Sequence, residues 1–314
     1  MEITTLLAEQ KEKFSILTLI ENTHLSDWKR TAFTWTELGN SVCLAMNKSY
    51  FQEALSNSNI TGIIAPPLAV LKCDQYGKTI VVAHKAAELF YFIHNLALHR
   101  HHTKNSQAQE RKTFIHPSAK IAASTLVGKN VSIGRNVIIH EKCIIHDCTV
   151  IGDNCVLFDN VTIGVSGFFS KEILGKKTHV QHFGGVRLGE NCLIHACTNI
   201  GRSVNAGEFT ELADNVHIGN QSNIGHDCKI GRNTDISSNV ILAGRVKIGC
   251  DCWLGAGCII SNAISIGDAC NVRIGAVVIE NVDKGKFVSG NFALSHTKHL
   301  MQFKKQKKEK ETWK

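Results

Sequence analysis

The chain has 314 residues, 43% of them hydrophobic and 20% charged, with a formal net charge of +8. That length allows two domains with real cores, and no uncharged apolar run approaches the roughly 18 residues a membrane-spanning helix needs. Six Lys against two Glu between Lys304 and Lys314 supply half of the charge excess, so the basic balance belongs to one tail without interleaved aromatics and argues against nucleic acid as a partner.

Met1-Glu2-Ile3-Thr4-Thr5 has no basic leader region, and the chain reads as a cytoplasmic protein without stable membrane insertion. Residues 1–105 read as a small α/β domain. Apolar runs predict strands over Phe14 to Ile20, Val42 to Met46, Ile60 to Ala65 and Thr79 to Ala83, and Ala86 to His99 carries helix-forming residues with apolar groups at helical spacing. His99-Arg100-His101-His102 reads as a cationic helix end and not as a metal site, because adjacent histidines on a helix end do not converge on one ion. Residues 106–113 are polar and charged, as in a linker.

From Ile115 the pattern changes. Sampling every sixth residue from Ile115 to Ile163, and again from Leu188 to Val278, gives Leu, Ile or Val at 24 of 25 positions, with Ala206 the exception. Average composition would place about six aliphatics there. A six-residue period fits neither a helix nor a two-faced strand and predicts a β-solenoid, a left-handed parallel β-helix of hexapeptide repeats, over residues 114–287. Four residues after each large aliphatic comes a smaller inward residue, and seven of the 12 Cys fall there: Cys143, Cys155, Cys192, Cys228, Cys252, Cys258 and Cys270. At such sites a free thiol acts as a compact hydrophobe. The comb loses phase once, so 164–185 must leave the prism as a loop, and a long loop on a rigid solenoid is usually functional. Residues 288–314 read as a short basic helix or tail.

Asn220-Gln221-Ser222-Asn223-Ile224-Gly225-His226-Asp227 holds the strongest catalytic candidate. His226 sits two positions past an inward Ile and should project from a corner. Gly244 comes 18 residues later, one full coil, and should lie directly above it. A neutral imidazole can take a proton from an attacking amine, and an unobstructed Gly N–H can hold an oxyanion. No bound cofactor or metal is called for.

These motifs resemble the UDP-3-O-acylglucosamine N-acyltransferases of lipid A synthesis. The resemblance rests on Asn220-Gln221 with Ile224-Gly225-His226-Asp227, on His182-Phe183-Gly184-Gly185-Val186 with the segment to Ile200, and on Met46-Asn47-Lys48-Ser49-Tyr50. It covers residues 1 to about 295. It implies a uridine-binding role for the N-terminal domain through Asn47 and Tyr50, substrate contacts at Gly167, Phe168, Asn220 and Gln221, and catalysis by His226 as base and Gly244 as oxyanion donor. It implies transfer of a 3-hydroxyacyl chain from acyl carrier protein to the 2-amino group of a UDP-amino sugar, in a homotrimer. The acyl donor would ride on phosphopantetheine, of the carrier protein or of coenzyme A.

The match is incomplete. Gly219 replaces the family's Asp, with Asp227 and Glu208 as candidates to supply the carboxylate. Leu44 replaces a uridine-stacking aromatic, and Ala263 replaces a second His. Two alternatives therefore stand beside the first reading: N-acylation of a different nucleotide-linked amino sugar, for an O-antigen or capsule, and a non-catalytic β-helix scaffold.

Overall fold

Two-residue strands alternate with left-handed corner residues from Phe114 to Val288. A positive φ recurs at hexad spacing, as at Asn130, Asn136, Lys142, Cys148, Asn154 and Asn160, and again from Asn215 through Gln221, Asp227, Asn233, Asn239 and Arg245. Asn and Asp dominate because their short polar side chains tolerate that region. The computed structural model describes residues 9–20, 30–34, 36–70, 77–104, 112–290 and 295–298, with single positions and pairs outside these ranges.

The hexads stack into three parallel sheets of nine, eight and eight strands, a left-handed parallel β-helix. Down one face Ile133, Ile151, Leu188, Leu212, Ile230, Ile248 and Ile266 lie in register, and all are buried. Each such side chain contributes roughly 1.5–3 kcal/mol by leaving water, but only because the coil beside it supplies the other half of the contact. The first coil lacks that neighbour on one side. Ile115, expected to point inward, is accordingly 41% exposed. The seven inward cysteines are buried and free.

The N-terminal domain is a five-stranded sheet in the order β1-β5-β4-β3-β2, with β1 Ile16–Ile20, β2 Arg30–Ala32, β3 Ser41–Leu44, β4 Ile60–Ala65 and β5 Thr79–Ala83. β1 is antiparallel and the rest are parallel. Helix α1, Lys48–Ser56, follows β3, and α2, Ala86–Lys104, follows β5. The four predicted strands are present within a few residues. β2 is too short for a pattern to announce. Helix α1 did carry a signal: Asn47 caps it by accepting from the Tyr50 N–H at 2.9 Å, and Phe51, Ala54 and Leu55 share its buried face. The linker call falls largely on residues 105–111, outside the described residues, as do most of the C-terminal tail and the side chains of His99 to His102.

All departures from the hexad gather on one edge of the prism. Ile163 pairs with Ile200 and Ile151 with Leu188, which places the excursion 164–185 at a single corner. Leu188 pairs with Leu212, so residues 201–208, Ala206 among them, also leave the wall at that corner. His226 turns the same edge one coil further on, Gly244 the next. The N-terminal domain docks there too: the Thr36 hydroxyl donates to Glu208 Oε1 at 2.6 Å.

Candidate active site

The loop carries a hairpin, Ser170–Ile173 with Lys176–His179, and helix α2 holds it down. Glu88 accepts from the Leu174 N–H at 2.8 Å, and Asn95 bonds both His179 O and the Gln181 N–H. His94 bridges the Thr31 hydroxyl at 2.6 Å and Gln181 O at 2.8 Å; burial holds its imidazole below the usual range. Ile173 and Val180 join the apolar core formed by Phe14, Leu89 and Phe90. The loop is thus part of the domain interface.

Under it lies His226. It projects away from the prism core, yet its side chain is only 16% exposed, because the Phe169 ring lies parallel to it at 5.9 Å between centroids. Tyr91 meets the Phe169 ring edge-on, and Lys171 Nζ lies 5.5 Å from that ring. His226 Nδ1 donates to Asp227 Oδ2 at 2.7 Å. Asp227 is fixed in turn: Oδ1 accepts from the Ser203 hydroxyl at 2.5 Å and from the Val204 N–H at 3.2 Å, and its own N–H donates to Thr210 Oγ1. With Nδ1 committed, Nε2 carries the lone pair. A Cβ built on Gly244 would lie 2.4 Å from that Nε2, so only glycine leaves room. The Gly244 N–H has no protein acceptor among the described residues.

The candidate residues divide by edge. Gly167 sits at the site, where an added Cβ would lie 3.3 Å from His226 Cδ2 and 3.1 Å from His182 Nε2. Phe168 does not reach His226; it is 91% exposed, and the neighbouring Phe169 makes the contact. Asn220 and Gln221 turn a different corner, between the strands 217–218 and 223–224, and one chain does not bring them to His226. Of the two carboxylates, Asp227 touches the imidazole, whereas Glu208 is held by Thr36 and Asn205. The sequence reading missed Phe169, and it missed Ser203, which lies 24 residues from Asp227 with no motif linking them.

Asn47 and Tyr50 stand at the start of α1 and do not line the cavity of about 770 Å³ that lies between the N-terminal domain and one prism face. Glu53 of that helix lines it opposite Arg187, Lys229 and Lys247, and it reaches Asp227 and Arg245. Burial lowers the Arg245 pKa, an effect opposed by the Tyr50 and Asp227 charges. Glu211 accepts from Lys229 Nζ at 2.8 Å and from Arg187 at 3.5 Å, while Lys247, one rung on, makes no ion pair among the described residues. Among the described residues no group of three or more His, Cys, Asp or Glu is placed to hold a metal ion. None of their helices is long and apolar enough to cross a membrane.

Residues 109–208 match the GMPPB C-terminal domain family and residues 209–244 the bacterial transferase hexapeptide family of six repeats. Over residues 209–244 the chain is similar to the bacterial transferase hexapeptide repeats. Those of the second match enclose both His226 and Gly244 in this repeat protein. No curated protein matches the sequence. Similar solved structures include a UDP-N-acetylglucosamine acyltransferase from Campylobacter jejuni, 24% identical over 56% of this chain and 71% of that one, TM-score 0.42. LpxA from Acinetobacter baumannii is 22% identical over 62% and 76%, TM-score 0.45. A perosamine N-acetyltransferase mutant from Caulobacter crescentus, in complex with CoA and GDP-perosamine, is 14% identical over 79% and 92%, TM-score 0.20.

Proposed function

We propose that the protein is an N-acyltransferase that moves an acyl chain from a phosphopantetheine thioester to the amine of a nucleotide-linked amino sugar. The observation that carries the reading is the imidazole of His226, fixed through Nδ1 by Asp227 with Nε2 left free against Gly244. The amine attacks the thioester carbonyl as His226 Nε2 takes its proton, and the Gly244 N–H binds the oxyanion. Collapse of the intermediate breaks the C–S bond, and the imidazolium returns the proton to the leaving thiolate.

The finer reading is transfer of a 3-hydroxyacyl group from acyl carrier protein to UDP-3-O-acylglucosamine, as in lipid A synthesis. Asn47 and Tyr50 would meet the uridine at the start of α1, with Gly167 and Phe168 closing over the sugar. Asn220 and Gln221 would act from a neighbouring subunit. A homotrimer is supported by the exposed apolar column Ile241, Ile259 and Val277, which lies in register down one prism face and has a natural occupant in a second copy.

One observation favours a second acceptor. Leu44, where a stacking aromatic is expected, packs its side chain against the N-terminal core and offers no platform for a base. That supports a different nucleotide-linked amino sugar as acceptor, with acyl-CoA or acyl carrier protein as donor. The deciding assay gives purified protein UDP-3-O-acylglucosamine with hydroxyacyl carrier protein or the matching coenzyme A thioester. Carrier-dependent turnover establishes the finer reading. Silence with both donors removes it and directs a binding screen to other UDP- and dTDP-linked amines. Loss of about 10² to 10⁴ in rate in His226→Ala, with folding retained, is expected whichever acceptor is used.

A further inference from the structure

His182 is the second imidazole at the site, and no step above uses it. Its side chain is buried, 5% exposed. Nδ1–H donates to Val180 O at 3.0 Å, which fixes the tautomer and leaves the lone pair on Nε2. That atom is buried without a hydrogen-bond partner. Burial, and then the nearby His226, push its pKa down to about 4, so it is a neutral acceptor at neutral pH. Buried acceptors are rarely left unpaired, because the lost hydration is not recovered. Nothing in the fold requires a lone pair here; an apolar ring would fill the same space.

The His182 ring stands edge-on to His226 with centroids 5.3 Å apart and planes at 81°. Gly167 lies over both, and the gap left by its missing side chain opens on His182 Nε2, 3.1 Å from the ideal Cβ position, and on His226 Cδ2 at 3.3 Å. A tetrahedral nitrogen donating to two acceptors at about 2.9 Å each holds them about 5 Å apart. With ring centroids 5.3 Å apart, the two imidazoles stand close enough for one such atom to approach both.

We propose that His182 is the residue by which this site selects an amine over a hydroxyl: its Nε2 accepts the second N–H of the acceptor nitrogen while His226 Nε2 accepts the first. The inference rests on the N-acyl transfer reading given above. During the reaction the N–H facing His226 is the proton removed, the C–N bond forms and the C–S bond breaks. The N–H facing His182 is kept and becomes the amide N–H of the product. A hydroxyl has one proton. It satisfies His226 and leaves His182 Nε2 buried and unpaired, the situation in which a site built for an N–H rejects its analogue.

The test compares UDP-3-O-acylglucosamine with its 2-hydroxy counterpart, using one acyl thioester donor, in the full-length wild type and in His182→Phe, His182→Gln and Gly167→Ala. Wild type is expected to prefer the amine. His182→Phe, which keeps the ring volume without the lone pair, should cut the kcat/KM ratio of amine to hydroxyl by about 10- to 100-fold. His182→Gln retains an acceptor oxygen and should recover part of that ratio. Gly167→Ala narrows the gap without altering the imidazole and should lower amine turnover even if His182→Phe fails to fold. Equal losses on both acceptors, or an unchanged ratio in the His182 variants, overturn the assignment of His182 while N-acyl transfer stands. A wild type that acylates neither compound overturns the N-acyl reading for this acceptor and the selector with it.

Discussion

Gly244 stands one coil beyond His226, and the absence of its side chain is what leaves His226 Nε2 uncovered: a Cβ there would come within 2.4 Å of the nitrogen and 2.6 Å of Cε1. Arg245 locks this relation by donating its N–H to His226 O at 2.8 Å. The backbone of Gly244 is not in the left-handed region, so alanine is tolerated by the chain but not by the imidazole. Gly244→Ala is therefore expected to melt within a few degrees of wild type while losing about 10²-fold or more in kcat. Wild-type turnover in a folded Gly244→Ala protein would remove this geometry from the mechanism.

Asp227→Asn separates orientation from fold. The amide can still accept from His226 Nδ1–H through its oxygen, but then its NH₂ faces Ser203 Oγ and the Val204 N–H, where the carboxylate accepts two hydrogen bonds. Flipping the amide satisfies that side and opposes an N–H to His226 Nδ1, favouring the wrong tautomer. A loss of about 10²- to 10⁴-fold in kcat is expected, with stability lowered by about 1–3 kcal/mol from the mismatched buried group. Rate and urea midpoint measured together check both halves.

The comb of Ile133, Ile151, Leu188 and their successors was legible because the prism repeats one contact many times, so a single sampled position reports the whole wall. The pairing of His226 with Gly244 was legible for the same reason, being one coil of 18 residues. The same counting places Asn220 on another edge, since six residues advance one corner of the triangle; what family resemblance grouped, the period separates. Phe169, His182 and Ser203 were not readable as a set. They sit in the two excursions, where no period links position to direction: Ser203 reaches Asp227 from the second, and Phe169 and His182 meet His226 because α2 holds the first through Glu88, His94 and Asn95. The contacts of α2 join residues more than 80 apart.

Ile259 lies at the centre of the apolar column, in register with Ile241 on one side and Val277 on the other. Its side chain points away from the prism core, so a charge there faces solvent in a lone chain and is buried in an assembly. Ile259→Glu should leave the circular dichroism spectrum of the fold intact and shift the light-scattering mass from three times 34.5 kDa to that of one chain. A wild type of one-chain mass, or a trimeric Ile259→Glu protein, would exclude this face as the subunit contact.

His94 and His182 make stability depend on pH in a predictable direction. Both imidazoles are held below their ordinary value by burial, His182 to about 4, so between about pH 6.5 and 4 the unfolded chain binds protons that the folded chain excludes. Stability from this source is fully present above about pH 6.5 and is lost as pH falls. For His182 alone the loss by about pH 4.5 amounts to roughly 2–3 kcal/mol. Carboxylates titrate in the same range, so the informative quantity is a difference: between about pH 7 and 4.5 the unfolding free energy of wild type should fall by that much more than the free energy of His182→Phe, which has no imidazole to protonate. Parallel pH profiles would mean that His182 takes up its proton as readily in the folded protein as in the unfolded chain, so that burial does not hold it neutral in this range.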